Sequence, residues 1–212
     1  MINKRLTQLS KQLVIITIFT SLSACSIFSF NDKPILQQHY SESERPALKQ
    51  SLMQLVDWKV MGKIGIRTKD DSMTAAINKW SQSEDTFIID LSSSFFGLGA
   101  TRIMGNANYI LIKDPYDDPI SSNQPDKLIE SALGFPLPIS LLSSWIKAIP
   151  NPDSNYEISY NSQGLPLQLQ QHNWQVNYSN YSNEHGLPLP GKVKLQRGDT
   201  RITLAIKKWT IL

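Results

Sequence analysis

The 212-residue sequence has one cysteine, three histidines and few charges, 18% of the chain. A single cysteine excludes an intrachain disulfide and any metal site built from several thiolates. His39, His172 and His185 stand far apart, none with a second histidine at helical ligand spacing. They read as solvated surface residues. The familiar catalytic motifs are missing: there is no G-x-S-x-G and no H-E-x-x-H, and Gly97-Leu98-Gly99 starts neither G-x-G-x-x-G nor G-K-[ST]. Asp70-Asp71 and Asp117-Asp118 have the setting of turn residues, where Asp is favoured for its local backbone hydrogen bonds. Barrel folding could also bring distant carboxylates together over a sugar, but no spacing in the sequence points to such a pair. The chain is not expected to be an enzyme, and no metal, cofactor or catalytic residue is assigned.

Excess charge is also scarce. The formal net charge is +3, but Lys4, Arg5 and Lys11 account for three of the 21 basic residues, and what remains equals the 18 acidic ones. On that balance no basic stripe is expected, and nucleic acid drops out as a partner.

Long apolar runs are absent too. Leu13 to Phe19 is the longest near the N-terminus, too short for a membrane span. With the positive residues before it and Leu22-Ser23-Ala24 after it, the run reads as a secretory signal over 1–24. The one cysteine, Cys25, follows directly. Leu22–Cys25 resembles a bacterial lipobox, which implies cleavage just before Cys25 and diacylation of its thiol. Several acyl chains on one residue anchor stably, each buried CH₂ contributing about 0.8 kcal/mol. Ser26, rather than Asp, follows the cysteine, and by resemblance to the Gram-negative sorting rule this points to the outer membrane. Residues 25–44 lack periodicity and read as a lipidated tether. Residues 45–212 read as one domain, large enough to bury a core.

That domain reads as mainly β. Leu48, Leu52, Leu55 and Val56 recur at helical spacing over 46–56. Val60, Ile64 and Ile66 then alternate with polar residues, as do Phe87, Ile89 and Leu91, Val193 and Leu195, and Ile202, Leu204 and Ile206. Strands are expected near 58–67, 73–80, 87–91, 101–104, 109–113, 156–160, 166–171, 174–179, 191–197 and 201–209. Short turns imply antiparallel hairpins. Helices are expected at 125–133, stopped by Gly134, and at 140–149, with Leu141, Leu142, Trp145, Ile146 and Ile149 on its apolar face. Ten to eleven antiparallel strands in one sheet should curl into an unclosed barrel, a half-barrel, with the short helices covering its opening.

Ser92 to Gly99 fits no strand or helix. Its serines and glycines make a turn, yet Phe95, Phe96 and Leu98 are large and apolar. Such a loop either folds back over the barrel mouth or projects toward another apolar surface.

Several segments in order resemble the LolB family of outer-membrane lipoprotein receptors. They are the lipobox, Trp58 to Ile66, Gly97 to Thr101, Leu133 to Ile139 with Trp145-Ile146, Trp174 to Tyr178, Leu189 to Val193, and Arg201 to Trp209. The resemblance implies a lipid-anchored monomer on the periplasmic face of the outer membrane. Such a protein takes lipoproteins from the periplasmic carrier LolA and inserts them into outer-membrane lipid. It implies that acyl chains occupy an apolar cavity, for which Val60, Ile64, Ile66, Phe87, Ile89, Leu91, Leu141, Trp145, Val193, Leu195, Ile202, Leu204 and Ile206 are the candidates. The family's protruding loop falls on Phe96, Gly97, Leu98 and Gly99, with Phe95 beside it. A lipid-binding sensor on the same fold and an accessory lipoprotein of an outer-membrane assembly machine are the alternatives.

Overall fold

The computed structural model describes residues 38–92, 100–115 and 117–212. Cys25 and the loop residues Phe95, Phe96, Gly97 and Leu98 lie outside them.

The chain enters at helix α1 (Arg45–Gln54), then runs as a meander through β1 (Trp58–Arg67), β2 (Ser72–Ser83), β3 (Thr86–Ser92), β4 (Thr101–Gly105), β5 (Ile110–Lys113) and β6 (Ile120–Ser122). Helices α2 (Pro125–Leu133) and α3 (Ile139–Trp145) follow. The return is β7 (Tyr156–Tyr160), β8 (Pro166–Gln171), β9 (Trp174–Ser179), a small hairpin β10 (Ser182–Glu184) and β11 (Leu187–Leu189), then β12 (Lys192–Arg197) and β13 (Thr200–Ile211). Eleven strands form one sheet in the order β6-β5-β4-β3-β2-β1-β13-β12-β9-β8-β7. All its pairings are antiparallel, and the last strand pairs with the first, Ile64 opposite Leu204. β6 and β7 are not joined, so the barrel is unclosed, as expected. α2 and α3 are the connection between these two edges.

The sheet curls around those helices. Leu142 of α3 shares a cavity wall with Ile103 of β4, while Trp145, one turn later, donates its indole N–H to Gln171 Oε1 of β8 at 2.8 Å. β4 and β8 are seven strand spacings apart, roughly 34 Å in a flat sheet, whereas a seven-residue helix is only about 10 Å long. Both contacts are met only if the sheet wraps round. One apolar core therefore fills the concave side, from Ile110 and Ile112 on β5 to Leu169 on β8. Its densest aromatic contact is Trp58, whose ring centroid is 5.5 Å from that of Trp80 and 5.4 Å from that of Trp209.

Several boundaries differ from the sequence reading. β2 runs on to Ser83, with the turn confined to Glu84 and Asp85. The 140–149 helix stops at Trp145, because Ala148 takes a positive φ of 59° and the chain turns. β6 lies between the expected strand at 109–113 and the helix at 125–133, where no strand is expected. The tether range also overlaps packed chain. Tyr40 N–H donates to Gln163 O at 2.8 Å, and Glu44 accepts from Ser41 at the start of α1.

The two strands that flank β1 bulge at one level. Asn78 is an extra residue in β2 relative to β3, and Lys207 is an extra residue in β13 opposite the Met61–Gly62 step of β1. The inward parity therefore switches, from Ala75 and Ile77 to Trp80 and Gln82 in β2, and from Ile206 to Trp209 in β13.

Charge is segregated, against the expectation of no basic stripe. β1, β12 and β13 are neighbours and carry nine basic residues with no acid. The balance of the whole sequence hides this, because the acids lie mainly in turns and helices.

Candidate functional site

The concave face is made by period-2 alternation, so the side chains it gathers follow from strand register. Val60, Ile64 and Ile66 on β1 meet Leu204 and Ile202 on β13 on one side, and the inward residues of β2 on the other. Phe87, Ile89 and Leu91 continue the surface on β3, and Val193 and Leu195 on β12. Every one of these is buried, as are Ile206 and Trp145. Leu141 is only half-buried, packed at the rim of the core, and Leu142 takes the inward position on α3.

Between sheet and helices is an apolar cavity of about 30 Å³. Its walls are Ile64, Ile77, Trp80, Ile89, Leu91, Ile103 and Leu204 from five neighbouring strands, and Leu137, Ile139 and Leu142 from the covering segment. No polar residue lines it. Four of the expected candidates, Ile64, Ile89, Leu91 and Leu204, stand on its wall. The others are in the surrounding core, except Leu141 at its rim. The sequence reading missed Ile77 and Trp80, because the bulge at Asn78 breaks the alternation that reveals inward residues. It also missed Leu137 and Ile139, whose prolines mask any period, although Ile103 alternates with Arg102 and is legible in retrospect. The indole nitrogen of Trp80 is buried and has no hydrogen-bond partner among the described residues.

The cover is held unequally at its two ends. At the α3 end, Gln171 accepts from Trp145 Nε1 and from Asn151 N, and its amide donates to Asn151 O and to Ser154 Oγ. Lys147 Nζ donates to Leu55 O at 2.8 Å, joining the same end to the chain after α1. Burial pushes this amine down to about 8. At the other end, α2 is tied to the start of α3 by Asp126, which accepts from the backbone N–H and hydroxyl of Ser140. Gln124 N–H, just before α2, donates to Ser122 Oγ of β6 at 3.0 Å.

A second hollow, about 40 Å³, lies between α1 and the β7–β8 hairpin. Its rim is polar: Arg45 lies 4.1 Å over the Tyr160 ring, and Lys49 donates to Tyr156 Oη at 3.1 Å. The cavity under α3 is the better match for apolar matter, having no such groups. The three histidines are exposed, and no group of three or more His, Cys, Asp or Glu able to hold a metal occurs among the described residues.

The fold and site thus define an unclosed antiparallel half-barrel whose helix-covered hollow is lined by apolar side chains alone. The family described as outer membrane lipoprotein LolB matches residues 56–209, and the chain belongs to that family. Outer-membrane lipoprotein LolB of Pseudomonas fluorescens (strain Pf-5) is 31% identical over 199 residues, 94% of this chain and 95% of that protein. The protein of the same name from Stutzerimonas stutzeri (strain A1501) is 37% identical over 152 residues, covering 72% of this chain and 73% of its own length. Among solved structures, a LolA superfamily protein from Nitrosomonas europaea aligns with a TM-score of 0.47 at 11% identity, over 77% of this chain and 93% of that one. Membership makes this an outer-membrane lipoprotein of a lipoprotein-localization family rather than of an enzyme family. No helix among the described residues is long and apolar enough to cross a membrane.

Proposed function

We propose that the protein is a receptor, anchored through acylated Cys25 to the periplasmic face of the outer membrane. In this reading it accepts lipoproteins from LolA and inserts them into outer-membrane lipid. The observation that carries the reading is the wholly apolar hollow under the 137–142 cover, in a chain of the LolB family. Acyl chains of the cargo occupy that hollow, against Ile64, Ile89, Leu91 and Leu204 first and the flanking core residues as it widens.

At about 30 Å³ the hollow is roughly the room of one or two water molecules. A fatty acyl chain is far larger, so Leu137, Ile139 and Leu142 must move aside for it to enter. Those side chains leave apolar contact as the acyl chain takes their place, so little apolar surface is newly exposed and the exchange has a small net cost. Transfer from carrier to receptor needs no nucleotide. A preference of 1.4 kcal/mol already shifts the equilibrium about tenfold. Delivery completes when the chains enter the bilayer, and the loop Phe95, Phe96, Gly97 and Leu98 is the element assigned to touch it.

The direct test is transfer in vitro. Radiolabelled lipoprotein bound to LolA is mixed with the receptor and liposomes. Cargo should leave LolA and appear in the liposomes only with the receptor present. Cargo remaining on LolA would favour the sensor or accessory reading.

A further inference from the structure

We propose that the convex face of the sheet is a docking surface for an anionic phospholipid bilayer. Six lysines carry it: Lys59 and Lys63 on β1, Lys192 and Lys194 on β12, and Lys207 and Lys208 on β13. They are brought to one face by register. Lys63 and Lys192 both flank Ala205, Lys194 stands opposite Thr203, and Met61 opposite Lys208. None of the six makes an ion pair among the described residues. The acid-free surface is wider than these strands, since β2, β8 and β9 contain no acid either. On β3, the outward Asp90 is already engaged by Arg102 and by Lys79, whose Nζ is 3.6 Å away. The other acids near this face lie beyond the strands at its two ends: Asp70, Asp71 and Asp199 beside Arg67 and Arg201, and Asp57, Glu84 and Asp85 at the end nearer Lys59.

The centre of this face is apolar. Met61 is 50% exposed. The coincident bulges open a shallow hollow of about 370 Å³ there, with Gly62, Ala76 and Ala205 on its floor and Lys63 and Lys207 at its rim. An apolar patch ringed by unpaired ammonium groups matches a phospholipid interface, where phosphates lie above glycerol and acyl carbons. An acidic protein would meet the lysines but has no need of Met61. The bilayer is also the surface beside which an outer-membrane lipoprotein is held, at high effective concentration. Docking by this face turns the concave side away from the membrane. If the receptor reading above is right, that is the posture in which the hollow faces an incoming carrier.

Amine footprinting tests the proposal on the unmodified full chain, with no cargo or carrier present, so its outcome does not depend on the transport reading. The protein is reconstituted in vesicles of phosphatidylethanolamine with phosphatidylglycerol, and separately in phosphatidylcholine alone. Lysines are acylated briefly with a water-soluble reagent and read by mass spectrometry. Lys63, Lys194 and Lys208 should react several-fold more slowly in the anionic vesicles, high salt should abolish the difference, and Lys127 on α2 should react alike in both. The double variant Lys63→Glu with Lys194→Glu should remove the protection of Lys208. Equal rates in both lipids would overturn the proposal. So would protection produced by polyglutamate on phosphatidylcholine vesicles and not by anionic lipid, which would identify an acidic protein as the partner.

Discussion

Lys147 is an ammonium-bearing residue in an apolar neighbourhood, with a backbone carbonyl as its hydrogen-bond partner and no carboxylate beside it among the described residues. Burial moves it from 10.5 in the unfolded chain to about 8 in the fold. Between these values the unfolded chain holds a proton that the folded chain has released, so stability rises with pH across that window. Below about 8 both states are charged and the full burial penalty is felt. Tyrosines of the unfolded chain, among them Tyr178 and Tyr181 whose burial raises them in the fold, begin to ionise near 9, which bounds the useful range from above. The melting temperature should therefore climb from pH 8 to about 9 and, in Lys147→Met, stay flat over the same range. Parallel profiles for the two proteins would show that the amine is solvated. Leu98 belongs to the same scale, though it lies outside the described residues. An exposed leucine leaving water contributes about 1.5–3 kcal/mol, and a glutamate there makes insertion costly. Leu98→Glu should keep its melting temperature and still take cargo from LolA, yet deliver little of it to liposomes. A large loss of stability would place Leu98 in the core instead.

Elements with unbroken alternation were legible in the sequence. β1, β3, β12 and the first half of β13 show their inward side chains at every second position, and each such residue is buried. Legibility fails where geometry inserts a residue. Asn78 and Lys207 each flip the parity of the strand beyond them, so the inward Trp80 looks like an outward residue when counted from Ile77. Nothing local marks the switch, since a bulge is fixed by the partner strands. Gly62 marks the same level from the other side. A Cβ built there would lie 2.1 Å from Ala205 O, so the strands approach too closely for any side chain. Gly62→Ala should destabilise the domain by about 1–3 kcal/mol, the usual cost of overpacking, read as a lower urea midpoint. An unchanged midpoint would mean the bulge relaxes freely. α3 shows a different limit. With Leu141 and Leu142 adjacent on a seven-residue helix, periodicity cannot choose the inward one, and the sheet beneath decides.

At the scale of the molecule, the open barrel follows from a connection. The first six strands and the last group are each antiparallel meanders, β13 returns to β1, and only the helical crossing separates edges β6 and β7. A strand count and short turns were enough to foresee that shape. The segregation of charge was not foreseeable, because it depends on which strands become neighbours: β12 and β13 come from the far end of the sequence to lie beside β1. The molecule thus has two faces of opposite character, an apolar hollow under helices and a basic outer surface. In the proposed function, acyl chains enter the first of these. A cargo lipoprotein carrying a photoreactive diazirine near the end of its acyl chain tests it most directly. After loading from LolA and irradiation, the modified residues are mapped by mass spectrometry. Adducts should fall on Ile64, Ile89, Leu91, Leu204 and the covering Leu142. Adducts on Met61 and its outer-face neighbours, with none on the concave side, would contradict the account.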